Sequence, residues 1–159
     1  MSGSKSYPTS DASESPERGE VVLSLKTVQK MLPLVQQIAS DIVTRHRAIV
    51  VLQPEEERLD RQRHSLDWPM RNRRYEVKEE LAKAEKEREV ALAELRDLGL
   101  VLLSELEGRI GFPTTVNNRR AYFSWRVGED NLQSWRFADE DVELPIPPSC
   151  LKELSFASK

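Results

Sequence analysis

Two rows of apolar residues, separated by a segment rich in proline and arginine, constrain the fold of this chain most strongly. In the first row, apolar residues recur at alternating steps of three and four from Leu25 to Ile49, and the second row runs from Val77 to Leu98. Such spacing places each row along one side of an α-helix and predicts that each helix packs against another. We therefore predict an antiparallel two-helix hairpin.

One charged residue interrupts the apolar rows. If the two rows face each other in antiparallel orientation, Arg88 in the second row lies opposite Ile42 in the first. A cation in this position needs a carboxylate partner, because an unpaired charge is costly to bury. The sequence predicts that Asp41 is this partner.

The ends of the helices are indicated by capping residues and prolines. Ser24 is the predicted N-cap of the first helix, and Gly99 is predicted to end the second. Because proline lacks a backbone N–H, we expect Pro33 to kink or divide the first helix and Pro54 to begin a new helical segment. The tripeptide Asp67-Trp68-Pro69 predicts the start of the second long helix.

Beyond residue 99 the apolar pattern changes from helical to extended. One predicted hairpin pairs residues 100–103 with 109–112 and ends at Pro113, and a second pairs residues 121–127 with 132–137. The predicted fold class is therefore α+β, with a coiled-coil-like helical hairpin followed by a small antiparallel β unit of three or four strands.

Three segments follow from this pattern. Residues 1–22 are rich in Ser, Pro and Glu, so we predict a disordered tail. Residues 23–137 form one predicted domain, and residues 138–159 a predicted extended C-terminal tail.

Composition excludes several classes of protein. The 159 residues carry a formal net charge of -3, so no global charge attracts nucleic acid or anionic lipid. The longest apolar runs are far shorter than the roughly 20 residues of a membrane-spanning helix. Cys150 is the only cysteine, which rules out an intramolecular disulfide or a cysteine-based zinc site and favours a reducing, cytoplasmic location.

Several short motifs at consistent spacing resemble a known family. The run Ser124-Trp125-Arg126-Val127-Gly128-Glu129, followed by Trp135, resembles a Cys-Trp-Arg-Leu-Gly-Glu…Trp-His-Glu pattern. That pattern belongs to a bacterial family known as domain of unknown function 2203. Leu32-Pro33-Leu34, and Leu98-Gly99 followed by Gly108 and Phe112-Pro113, also agree with it. The resemblance covers Leu23 to Phe137 and implies the fold, but it implies no activity.

Three positions depart from the family pattern. This chain has Gly111, Ser124 and Arg136 where the pattern has Asp, Cys and His. Those three residue types bind metals or move protons. If the family builds a metal or small-ligand site from them, the resemblance implies that this member has lost it.

The densest group of potentially specific residues lies in the β unit. Trp125, Arg126, Glu129, Trp135 and Arg136 form a candidate binding surface in which Arg126 would hold an anion. In the alternative interpretation, which we favour, the two tryptophans form the core of the β unit and Arg126 pairs with Glu129.

The turn between the helices is locally basic. Six arginines lie between residues 58 and 74, and Arg71, Arg73 and Arg74 are candidate phosphate contacts, with Trp68 and Tyr75 available to stack on bases. The alternative, which we favour, is that these arginines pair with neighbouring acidic residues.

No enzyme template matches the sequence. There are only six glycines and no phosphate-binding glycine loop, and His46 and His64 lie in separate segments. We predict no catalytic residue, cofactor or metal. The leading prediction is a non-catalytic protein-interaction or self-associating module, because an isolated helical hairpin leaves apolar surface uncovered. The alternatives are a nucleic-acid-associated protein acting through the arginine-rich turn and a degenerate member of a ligand-binding family.

Overall fold

The computed structural model describes residues 22–147. The predicted disordered tail, apart from Val22, lies outside the described residues. The same is true of residues 148–159, which include Cys150.

Two long helices form the predicted antiparallel hairpin. Helix α1 spans Leu25–Arg61 and helix α2 spans Trp68–Asp97. The Ser24 side chain accepts a hydrogen bond from the Thr27 N–H (3.2 Å), which confirms the predicted N-cap. Asp67 caps α2 in the same way, accepting from the Met70 N–H at 3.0 Å.

Helix α2 ends at the predicted glycine. Gly99 has a φ of +80°, a left-handed conformation that glycine adopts without a side-chain clash. Its N–H donates to the Arg96 carbonyl at 2.9 Å, and the Leu100 N–H donates to the Leu95 carbonyl at 3.1 Å. These two bonds form a Schellman cap, which satisfies carbonyls that the last helical turn leaves free.

The two prolines of α1 do not divide it. Pro33 and Pro54 both lie inside the continuous helix Leu25–Arg61. Of the two alternatives predicted for Pro33, a kink or a division of the helix, the division was wrong, and so was the new start at Pro54. Each proline removes one backbone hydrogen bond. Buried side chains on both sides, including Leu32, Val35 and Leu52, hold the helix against its neighbours and offset that loss.

Five strands follow the helices and form one antiparallel sheet in chain order. They are β1 (Val101–Ser104), β2 (Arg109–Val116), β3 (Arg119–Arg126), β4 (Ser134–Phe137) and β5 (Leu144–Pro145). The α+β fold is confirmed, but the sheet exceeds the predicted three or four strands.

Strand β2 continues past the proline that was expected to end it. The Pro113 carbonyl accepts from the Leu23 N–H at 2.8 Å, so the hydrogen-bonding edge of this residue faces away from β3 and its missing N–H interrupts no β2–β3 bond. A two-residue turn then leads into β3. Asn117 and Asn118 have φ values of 53° and 65°, as a tight hairpin turn requires.

The segment after residue 137 also contributes to the sheet. Strand β5 pairs with β4, the Ile146 N–H donates to the Gln133 carbonyl at 2.9 Å, and the Ile146 side chain is buried. The described part of the predicted C-terminal tail is therefore held against the domain up to residue 147.

Two separate apolar cores stabilise the molecule. The first joins the N-terminal half of α1 and the C-terminal half of α2 to the sheet through residues such as Ile42, Leu95, Phe112 and Trp125. The second contains only residues of the helices and of the turn between them, namely Ile49, Leu52, Leu59, Leu66, Val77, Leu81 and Ala84. The second core supports the part of the hairpin that contacts no sheet residue, which we call the helical tip. In α1 this part runs from Ile49 to Arg61, a rise of about 18 Å over 12 residues.

Arg88 has a different partner from the predicted one. Its Nη1 lies 3.1 Å from Oε1 of Glu105, which belongs to the β1–β2 turn, and no ion pair joins it to Asp41 among the described residues. The prediction was wrong because the sheet packs beside the helices at this level and supplies a carboxylate of its own. No helix within residues 22–147 is both long and apolar enough to cross a membrane.

Candidate functional site

The five candidate residues of the β unit do not form one surface. Cross-strand partners share a face of a sheet, and Trp125 pairs with Ile110 while Trp135 pairs with Phe123. Both tryptophans therefore belong to the face that packs on the helices. Arg126 and Arg136 occupy alternate positions and so belong to the opposite face, which we call the outer face.

Trp125 anchors the loop between β3 and β4. Its ring is 1% exposed, and its Nε1 donates to the Glu129 carbonyl at 3.1 Å. The Glu129 carboxylate lies 3.8 Å from Nε of Arg126, which is half exposed. Trp135 packs edge-on against Phe137, with ring centroids 4.8 Å apart. These contacts agree with the structural interpretation of the tryptophans and of the Arg126–Glu129 pair.

A polar network centred on the buried Ser124 lies on the outer face of the sheet. Nη1 of Arg109 donates to Oγ of Ser124 (2.9 Å) and to Oε1 of Glu143 (2.8 Å), and Ser124 Oγ donates to the same carboxylate oxygen. Ser124 is fully buried, and Arg109 also donates from Nε to Glu107 at 3.1 Å. The network fixes the segment before β5 onto the centre of the sheet.

The three positions that depart from the family pattern lie close together. Gly111 and Ser124 are direct cross-strand partners, and Arg136 pairs with Tyr122, two residues before Ser124 on the same face. In this chain Ser124 is held by the polar network, and Nη1 of Arg136 lies 3.8 Å from Asp141. No group of three or more His, Cys, Asp or Glu side chains within residues 22–147 is arranged to hold a metal ion.

The two histidines are far apart in the fold. His46 lies in α1 beside the sheet, with Nδ1 at 3.6 Å from Oε2 of Glu105. His64 is exposed in the turn between the helices. They do not share a site.

Two of the three candidate phosphate contacts are paired with carboxylates across the hairpin. Arg73 donates from Nε and Nη2 to both oxygens of Glu55, each at 2.9 Å, and Arg74 donates to Oδ1 of Asp60 at 2.8 and 2.9 Å. The hydrogen bonds from Arg73 lower the pKa of Glu55, and those from Arg74 lower the pKa of Asp60. Arg71 instead donates from Nε to the Leu66 carbonyl at 3.0 Å.

A different set of residues remains available at the helical tip. Arg61 and Arg63 are exposed and make no ion pair among the described residues, and Arg71 likewise has no carboxylate partner. In the first two turns of α2, which begin seven residues after Arg61, Trp68 is 74% exposed and Tyr75 is 64% exposed. We call Arg61, Arg63, Trp68, Arg71 and Tyr75 the tip surface.

The sequence analysis treated Trp68 and Tyr75 only as residues that could stack on bases beside the arginines. Their exposure was nevertheless predictable from their positions on the helix. Trp68 lies nine residues before Val77, the first residue of the buried row, so at 100° per residue it points to the opposite side of α2. Tyr75 follows Trp68 by seven residues and shares its side.

The fold and the site together define an α+β protein in which a sheet packs against the base of a helical hairpin but not against its tip. Residues 22–143 match the family described as "Uncharacterized conserved protein (DUF2203)". Because the match covers more than half of the chain, this protein belongs to the DUF2203 family. No curated protein and no solved structure matches the chain.

Proposed function

We propose that this protein is a non-catalytic interaction module that binds a partner protein through the tip of its helical hairpin. The observation that carries the proposal is the exposure of Trp68 and Tyr75, at 74% and 64%, on one side of α2. Large aromatic side chains on a solvated helix favour association, because burying such a side chain contributes about 1.5–3 kcal/mol.

The residue types of the tip surface support this function. Trp, Tyr and Arg are the residues that most often contribute the largest share of binding energy at protein interfaces. The first turns of α2 contain one residue of each type, namely Trp68, Arg71 and Tyr75. Elsewhere along α2 the solvated side is dominated by Lys and Glu, which interfaces tend to exclude from their centres.

The side chains that could take part in catalysis are bound to other groups of the protein, which supports the non-catalytic part of the proposal. The Ser124 hydroxyl is fully buried and hydrogen-bonded to both Arg109 and Glu143, so it is not accessible to a substrate. The carboxylate nearest His46 is that of Glu105, which is already paired with Arg88. The lone cysteine of the sequence further supports a cytoplasmic setting for the interaction.

The test is affinity capture of tagged full-length protein from cells of the source organism, with and without nuclease, combined with light scattering of the purified protein. A stoichiometric protein that survives nuclease treatment supports the proposal. A monomer that captures no protein under either condition contradicts it. A purified dimer that captures no other protein would identify self-association as the form that the interaction takes.

A second candidate function is association with nucleic acid. The observation that favours it is the presence of Arg61, Arg63 and Arg71 without carboxylate partners beside exposed aromatic rings. Arg73 and Arg74 contribute less, because their guanidinium groups already bind Glu55 and Asp60. This function predicts an affinity that falls steeply with salt and a captured complex that nuclease removes.

A further inference from the structure

We infer that Trp68, Arg71 and Tyr75 are the anchors of a helix-in-groove interface, and that their partner is a protein with an apolar groove bordered by carboxylates. This inference rests on the proposed interaction function and specifies its partner. It commits to a separate protein as the occupant of the tip surface.

The spacing of the three residues defines the geometry. They stand at positions i, i+3 and i+7 of one helix, which is the pattern of side chains that a helix inserts into a groove. Between Trp68 and Tyr75 the helix turns by about 700°, or 20° short of two full turns, and rises about 10.5 Å. The two rings therefore lie in line along α2 on the side that faces away from α1.

The anchors stand on a rigid support. Leu66 in the turn and Leu59 and Val77 in the helices are buried in the second core directly beneath the tip. Asp67 caps the first turn of α2 at the position just before Trp68. A preformed anchor set loses less conformational entropy on binding than a flexible one, and this raises affinity.

Charge complementarity indicates what borders the groove. The carboxylates of Glu55 and Asp60 are engaged by Arg73 and Arg74, so they do not neutralise Arg61, Arg63 and Arg71. Arg71 thus stands between the two anchors on α2, and Arg61 and Arg63 add two exposed guanidinium groups without carboxylate partners at the end of α1 and in the turn that follows it. Carboxylates on the partner would form charge-assisted hydrogen bonds with them.

The spacing of the rings favours a protein over a nucleic acid as the occupant. The rings of Trp68 and Tyr75 are separated by about 10.5 Å along a straight helix, whereas a single-strand platform stacks successive bases on neighbouring rings.

The experiment places a photo-crosslinking amino acid at Asn72, which is exposed and lies between Trp68 and Tyr75 on the same side of α2. The matched control places it at Leu106, which is 72% exposed in the β1–β2 turn. Crosslinking is performed with the full-length protein in cells of the source organism, and adducts are mapped by mass spectrometry. The adduct protein is then purified for binding measurements with full-length variants.

The expected result is an adduct from position 72 and none from position 106, mapped to an apolar groove that carries Asp or Glu at its edges. Binding of the purified partner should weaken at least about 30-fold in Trp68→Ala, which corresponds to a dominant interface residue. The double variant Arg61→Glu/Arg63→Glu should weaken binding about tenfold at low salt, and less at high salt. Leu106→Ala should leave the affinity unchanged.

The other outcomes separate this inference from the proposed function. Adducts from position 106 alone would overturn the inference and move the proposed interaction from the tip to the β unit. An adduct with a second copy of this chain would overturn the inference in favour of self-association. An adduct that nuclease abolishes would overturn it in favour of nucleic acid. Affinity that is unchanged in both Trp68→Ala and the double arginine variant would also overturn it. No adduct from either position, together with a monomer that captures nothing, would contradict both.

Discussion

Gly108, in the β1–β2 turn, packs against Val43 of α1, and its replacement provides a quantitative test of how the helix and the sheet are joined. A Cβ atom at this position would lie 2.5 Å from Cγ2 of Val43 in α1 and 2.6 Å from Cγ2 of Val127, which follows β3. Its φ of +68° also belongs to the left-handed region. Gly108→Ala therefore combines a conformational cost with a steric clash.

The two contributions can be separated by a second glycine. Left-handed backbone costs an L-residue about 1–2 kcal/mol, and overpacking a well-filled core costs about 1–3 kcal/mol. Gly128 has a φ of +101°, and a Cβ there would meet no atom within 4 Å. We expect Gly108→Ala to lower the free energy of unfolding by about 3 kcal/mol and Gly128→Ala by about 1 kcal/mol.

The assay is urea unfolding followed by tryptophan fluorescence and circular dichroism, with the midpoint compared at unchanged slope. A double-mutant cycle with Val43→Ala isolates the clash, because that change removes the nearer of the two methyl groups. The Gly108→Ala penalty should be smaller by about 1 kcal/mol in the Val43→Ala background. Equal losses for the two glycine variants, or additive effects of Gly108→Ala and Val43→Ala, would refute the proposed packing of Gly108 against α1.

Three further predictions concern charge, the buried network and a turn. The hydrogen bonds from Arg73 lower the pKa of Glu55 below its ordinary value of 4.5. The pair therefore stabilises the folded state fully above pH 4.5, and this stabilisation is lost as the pH falls through the pKa of Glu55 in the folded state. Glu55→Gln should reduce the loss of stability between pH 6 and pH 3 in urea titrations. Ser124→Ala removes a buried donor to the Glu143 carboxylate and should cost about 1–3 kcal/mol by the same assay, whereas a change below 0.5 kcal/mol would contradict the importance of the network. Asn118→Gly should raise the thermal midpoint slightly, because glycine adopts the positive φ of 65° with less strain.

The helical hairpin was predictable because its signal is periodic and local. Apart from Leu25 and Leu98 at their ends, which are half-buried, the apolar residues of the two predicted rows are buried. The caps at Ser24 and Gly99 are formed by short-range hydrogen bonds. The effect of Pro33 and Pro54 was not predictable from local preference. The missing hydrogen bonds are offset by packing against residues that are distant in sequence.

The sheet was predicted less completely because two of its features have weak sequence signals. Strand β5 has only two residues, and one of them is Pro145. It is therefore too short to show the alternation of apolar and polar residues that predicts a strand. Asn117 and Asn118, by contrast, are residues that favour a tight hairpin turn, and this signal was present but overlooked.

The polar network of the outer face could not be predicted from the sequence. It joins Arg109, Ser124 and Glu143, which are separated by 15 and 19 residues along the chain and meet only through the strand register. The same register brings Gly111 next to Ser124. Positions that appeared as independent departures from a family pattern are therefore neighbours on one face of the sheet.

The separation of the two cores has a consequence for function. The second core contains no residue of the sheet, and the ion pairs of Arg73, Arg74 and Lys78 join α1 and α2 without the β unit. The helical tip can therefore keep its shape when the sheet changes, because its contacts are complete within the hairpin. Conversely, Trp68→Ala removes an exposed ring that belongs to neither core, so it should change binding without a comparable change in stability. The proposed interaction can therefore be tested through Trp68, and the stability of the fold through the buried residues of the two cores.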